Sequence, residues 1–191
     1  MSDSKIAPRQ RYTRVAIGLH WIIAILIIGQ IIGGKVMLAM ANSPTKFEIF
    51  QLHKSFGIII FLLSLFRLLW RLTHKAPALP ATMKPIERLA AKLTHIGFYA
   101  FMIGAPLTGW MMTSVSTPKI GTKIFKTIPW PDFPFLARSE AAETFFKDTH
   151  NILAIMMALL LLLHIGAALK HHFKDRDDVL SRMLPFIKLR D

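Results

Sequence analysis

Long apolar runs alternate along this chain with short polar, basic or proline-rich segments. "VAIGLHWIIAILIIGQIIGG", residues 15–34, opens the first run, which extends to Met40. A second covers 47–72 and contains "FGIIIFLLSLFRLLW"; a third covers 89–115; a fourth covers 144–173 and contains "NILAIMMALLLLLHIGAALKHH". A helix of about 20 apolar residues crosses a bilayer, so each run predicts a transmembrane span. The pattern thus predicts an all-α membrane protein, a four-helix bundle forming one domain over residues 1–191. Pro106 predicts a kink in the third span. "THKAPALPATMKP" punctuates the chain between spans two and three. The connector "STPKIGTKIFKTIPWPDFPF" carries Trp130, Phe133 and Phe135, aromatics suited to a membrane interface. Ala39-Met40-Ala41 resembles a cleavage site, but the first run exceeds the roughly 7–15 apolar residues of a secretory signal, so a retained span is expected.

Composition sharpens this reading. The 191 residues are 53% hydrophobic, more than a soluble domain of this length ordinarily carries. With no cysteine, disulfides, thiolate-held iron–sulfur clusters, cysteine nucleophiles and C-x-x-C-H haem attachment are excluded. A net charge of +13 would suggest nucleic acid in a soluble protein. Beside membrane spans it reads instead as basic loops against lipid, and no nucleic acid partner is expected. Sixteen Lys and Arg fall on the side of the two termini and connector two–three, against eight on the other side. That asymmetry predicts cytoplasmic termini in a multi-pass protein.

The histidines then stand out, because polar groups inside apolar spans cost free energy unless satisfied. With alternating span directions, His20 and His164 fall at one depth, His53 and His150 at the other. His150 and His164 are 14 residues apart, about 21 Å along a helix at 1.5 Å per residue. Fourteen steps of about 100° fall only about 40° short of four turns, so both point from nearly one face. Two facing imidazoles can hold one haem iron axially, leaving no open position, which suits electron transfer. Small residues follow one turn on at Ala24, Gly57, Ala154 and Ala168, giving room for a flat macrocycle. Zinc is the competing metal, but it wants more ligands per site. A single histidine of this kind can also serve only as an interhelical hydrogen-bonding group.

Other residues extend the constellation. Arg67 lies 14 residues after His53 and is placed either to pair a haem propionate or to snorkel to the interface. His95 sits at the start of span three without a partner by depth; it suits a quinone, a propionate or packing. His74 reads as a loop residue, and His171 and His172 suit a helix C-terminus. Met102, Met111, Met112, Met156 and Met157 read as packing.

At this point the residues resemble a known family. "RVAIGLHWIIAILI", "FQLHKSFGIIIFLLSLFRLLWR", "LTHIGFYAFMIGAPLTGWMM" and "THNILAIMMALLLLLHIGAALKHHFKDRDDVLSRMLP" are similar to the four helices of bacterial cytochrome b561, from about Arg11 to Pro185. The resemblance implies an inner-membrane bundle with two haem b groups, the axial positions falling on His20 with His164 and His53 with His150. It also implies exchange with ubiquinone or ubiquinol, and a quinone contact in "KHHF", for which His171 is the candidate.

The resemblance further implies the activity of an oxidoreductase: superoxide, or another one-electron donor, is oxidised at the outer face and ubiquinone is reduced. Lys54, Lys119, Lys123, Lys126 and Lys147 would draw in a small anion, or else form an ordinary solvated surface. Two other classes stay open. One is a membrane anchor and electron conduit for a separate redox protein partner; the other is a haem-free transporter or scaffold.

Overall fold

The computed structural model describes residues 11–80 and 82–189. Lys5, Arg9 and Arg190, counted in the charge asymmetry, lie outside the described residues. The elements run α1 (Arg14–Ala39), α2 (Pro44–Thr73), α3 (Pro85–Val115), β1 (Thr122–Ile124), β2 (Ile128–Trp130) and α4 (Glu140–Phe173). α2, α3 and α4 begin three or four residues before their apolar runs, because capping chemistry starts them. The Ser43 and Ser139 hydroxyls accept from the amides of Lys46 and Ala142. At α3 the Glu87 carboxylate accepts from the Lys84 amide, and Pro85 takes the first helical position. α3 continues as helix through Pro106.

α1, α2 and α4 are each long and apolar enough to cross a membrane. α3 is as long, at 31 residues, but Lys92, His95, Thr94 and Thr108 dilute its apolar character. Large apolar side chains face outward: Ile25, Leu69, Leu162 and Leu163 are all more than 60% exposed. Ser55 and Ser64 are fully buried. That inversion suits lipid as the solvent, where outward leucine is at home and polar groups must find partners inside.

The interior is layered. Ile27, Ile60, Met102 and Met157, one from each helix, are buried together at mid-bundle with Ile23. Seven residues from each of these, in both directions, lie the positions of the candidate sites. One flanking layer contains His20, Arg67, His95 and His164; the other contains Gly34, His53, Gly109 and His150. Seven residues are two turns, about 10.5 Å. The two outer layers are called here the terminal end, nearer both termini, and the hairpin end.

Helix packing around these layers is uneven. α3 lies along α4, and α2 lies between α1 and α3. Among the described residues α4 makes at most marginal backbone contact with α1 and α2. The bundle is therefore open along one side of α4.

The connector between α3 and α4 contains a hairpin that the apolar runs did not predict. β1 and β2 pair antiparallel, with Thr122 opposite Trp130 and Ile124 opposite Ile128. Phe125 and Lys126 turn the chain at positive φ, 47° and 64°, without the glycine or asparagine that ordinarily marks such a turn. The hairpin is tied to α2: the Phe125 amide donates to the Ser55 hydroxyl, and Lys54 Nζ donates to the Gly121 carbonyl.

Candidate functional site

The gap beside α4 is bridged at two levels by imidazoles. At the hairpin end the rings of His53 and His150 have centroids 6.1 Å apart, at an interplanar angle of 76°. At the terminal end His20 and His164 are also 6.1 Å apart, at 63°. A nitrogen–metal bond is about 2 Å and the nitrogen lies about 1 Å from its ring centre, so a straight N–metal–N axis separates two ring centres by about 6 Å. Both pairs fit one metal ion between two imidazoles. The helices that carry each pair make at most marginal backbone contact with each other, as a group seated between them would require.

The surrounding groups at the hairpin end hold the rings in place. His150 Nδ1 lies 2.8 Å from the Ala105 carbonyl; as the donor there, it leaves Nε2 as the free lone pair. Metal-bound histidines are ordinarily fixed in this way. His53 Nδ1 is buried with no hydrogen-bond partner. Gln30 donates to the His53 carbonyl at 2.7 Å and so ties α1 to α2 beside that imidazole. Two glycines press on these imidazoles. A Cβ at Gly109 would lie 3.2 Å from His150, and one at Gly34 would lie 3.5 Å from His53.

At the terminal end, polar side chains stand where the hairpin end has glycines. His95, unpaired by depth in the sequence, has its ring 6.1 Å from that of His164. Phe98 and Trp21 also contact the pair, at 5.1 Å from His164 and 5.3 Å from His20. Arg67 reaches from α2 to the Ala16 carbonyl of neighbouring α1 at 2.8 Å, one turn before His20. A shallow cleft opens beside it, lined among others by Arg67, Arg71, His95, Tyr99 and Met183. Arg67 is thus positioned to meet an anionic group, such as a propionate, on whatever the imidazoles hold.

His171 lies seven residues beyond His164, farther toward the terminal end. Its Nδ1 is 2.7 Å from Asp177 and 3.2 Å from Asp175, and it lines a second, open cavity of about 280 Å³. Lys170 donates to Asp175 at 2.6 Å and to Glu87 at 2.7 Å. These hydrogen bonds to the ammonium hold both carboxyls below the usual carboxylate range. His74 caps α2 and stacks on Trp70 at 3.8 Å.

On the opposite face the lysines are partly neutralised. Lys119 pairs with Asp132 at 2.9 Å and Lys126 with Glu48 at 3.0 Å. Lys123 and Lys147 have no acidic partner among the described residues.

Sequence reasoning missed Gly34, Gly109, Ala105, Gln30 and Trp21. For the glycines a signal existed: Gly34 follows His20, and Gly109 follows His95, by the same 14 residues that separate His150 from His164.

Comparison with known proteins agrees with this architecture. Residues 11–186 match the family model described as prokaryotic cytochrome b561. The chain is 30% identical over 177 residues to cytochrome b561 homolog 2 of Escherichia coli K12, covering 92% of each. It is 26% identical over 179 residues to cytochrome b561 homolog 1 of the same organism, covering 92% of this chain and 97% of the relative. It is 28% identical over 187 residues to a protein of Yersinia pestis named probable superoxide oxidase CybB, again covering 92% and 97%. With four long helices, paired imidazoles across an open side and a family match over most of its length, the chain belongs to the prokaryotic cytochrome b561 family of haem-containing, multi-pass membrane proteins of electron transfer.

Proposed function

We propose that the protein carries single electrons across the bacterial inner membrane, from superoxide on the outer side to ubiquinone on the inner side. In this reading His53 and His150 hold one haem b, and His20 and His164 hold a second. Each haem, bound through two imidazoles, supplies a one-electron iron couple with no open position. The observation that carries the proposal is the repetition of one arrangement at two levels: an imidazole on α4 faces one on a helix that α4 scarcely touches, with centroids 6.1 Å apart each time, whereas His95, equally near His164, stands on α3, which packs along α4.

The charge asymmetry puts both termini in the cytoplasm, so the hairpin end faces outward. There Lys123 and Lys147 supply positive charge for a small anion, while Asp132 and Glu48 limit the field. Arg67 would supply positive charge at the inner level, where it could meet a haem propionate. His171 contacts the quinone headgroup at the inner face. The balance needs two superoxide anions per quinone: they leave as two dioxygen molecules, and ubiquinone takes two electrons and two protons to become ubiquinol.

The chain also suits service as a membrane anchor for a separate redox protein. Phe135 is fully exposed and Ile128 is 60% exposed on the outer connector, an apolar surface that a partner would cover. One experiment distinguishes the two readings. Purified protein in nanodiscs is supplied with superoxide, and ubiquinone reduction is followed. Superoxide-dependent ubiquinol formation, abolished in His53→Ala, supports the proposal. Haem that superoxide leaves oxidised, and that only a protein partner reduces, would favour the anchor.

A further inference from the structure

The chain beyond α4 folds back across the terminal end. His171 and the Val179 amide both engage the Asp177 carboxylate, at 2.7 and 3.0 Å, and fix the turn out of the helix. Ser181 is 2% exposed, and its hydroxyl donates to Asp178. Arg182 then donates to the Ala78 carbonyl in the connector between α2 and α3. The segment ends against α1, where Trp21 Nε1 donates to the Met183 carbonyl at 2.8 Å. Arg11 donates to the carbonyls of Leu184, at 3.0 Å, and Ile187. Residues 174–187 therefore form a strap from the end of α4 to the start of α1.

Those two helices share the terminal-end imidazole pair yet scarcely touch through their backbones. A bound group between them is held by His20 and His164, but nothing in the helix packing closes the opening at that end. The strap lies there. Trp21 joins the two features: its ring touches that of His20, and its N–H holds Met183. Met183 in turn lines the cleft with Arg67 and His95. The hairpin-end pair has no share in this arrangement, so the strap should act on one level alone.

We propose that the C-terminal strap is a structural part of the inner haem site, clamping the start of α1 to the end of α4 beside the terminal-end cleft, with Trp21, Arg11 and Met183 as its positioning residues. This rests on the reading that His20 and His164 hold a haem. Opening the strap frees that haem to leave and exposes the half-buried Met183 further, while the haem at His53 and His150 stays as it was.

The test uses the full-length protein and the double variant Trp21→Phe/Arg11→Met, which keeps an aromatic ring beside His20 but removes both side-chain links from the α1 end to the strap. Haem release to excess apomyoglobin is followed for each. The expected result is biphasic: in the variant one haem leaves at least ten-fold faster and the other at the rate of the unmodified protein. Because the chain has no cysteine, Met183→Cys adds a single thiol. Its labelling by a water-soluble maleimide should accelerate at least ten-fold when the two links are removed. Unchanged release of both haems, or equal acceleration of both, overturns the proposal. Unmodified protein without haem overturns the haem reading and the strap proposal with it.

Discussion

The two imidazole pairs have the same centroid separation but different neighbours. At the hairpin end, glycines on α1 and α3 bring backbone against the rings of His53 and His150, and the Ala105 carbonyl fixes one of them. At the terminal end the equivalent positions on α2 and α3 carry Arg67 and His95, and a cleft reaches them from the surface. In the proposed reading, the imidazole pair decides what can be held at each level. The neighbours decide how tightly it is enclosed and which charges it meets. A buried layer of Ile27, Ile60, Met102 and Met157 separates the levels, so each can be perturbed alone.

The largest expected effect breaks one level and spares the other. His150→Ala should lower haem from two per chain to one, and His20→Ala should remove the other, as resolved in reduced-minus-oxidised spectra. A variant that keeps both haems would refute the pairing. A smaller effect tests enclosure. Gly109→Leu would drive a side chain into the His150 ring, and overpacking of this kind costs about 1–3 kcal/mol. Reduced occupancy of the hairpin-end haem alone is expected, whereas Leu at Gly18, where a Cβ would meet nothing within 4 Å, should be tolerated. The finest effect concerns charge. Arg67→Leu removes a cation beside the terminal-end pair and should lower that haem's midpoint potential by on the order of tens of millivolts, because a cation favours the reduced form. The hairpin-end potential should stay fixed in the same potentiometric titration.

How far the sequence revealed these levels depends on what each residue needed. The helices were legible because runs of Ile, Leu and Phe longer than a bilayer is thick have few other uses. The four histidines were legible because an imidazole inside such a run demands a partner, and depth supplied one. His95 was left unpaired because depth alone cannot tell which helices adjoin; its place beside His164 depends on α3 packing along α4. Gly34 and Gly109 carried a signal in their 14-residue spacing from His20 and His95, but it went unread for a related reason. A glycine signals a close approach only when the approaching group is known, and both face rings from neighbouring helices. His171 was read as a helix-end histidine and quinone contact; its link to Asp177 requires the chain to reverse after α4, which no periodicity announces. The hairpin escaped notice because its turn uses Phe125 and Lys126 at positive φ.

The account rests on two haems held one above the other, each by two imidazoles. The most direct test is a pyridine haemochrome assay on the purified full-length chain, combined with electron paramagnetic resonance of the oxidised protein. The expected result is two haem b per chain, both low-spin with bis-imidazole signatures. A colourless protein, a single haem per chain or a high-spin centre with an open position would contradict it.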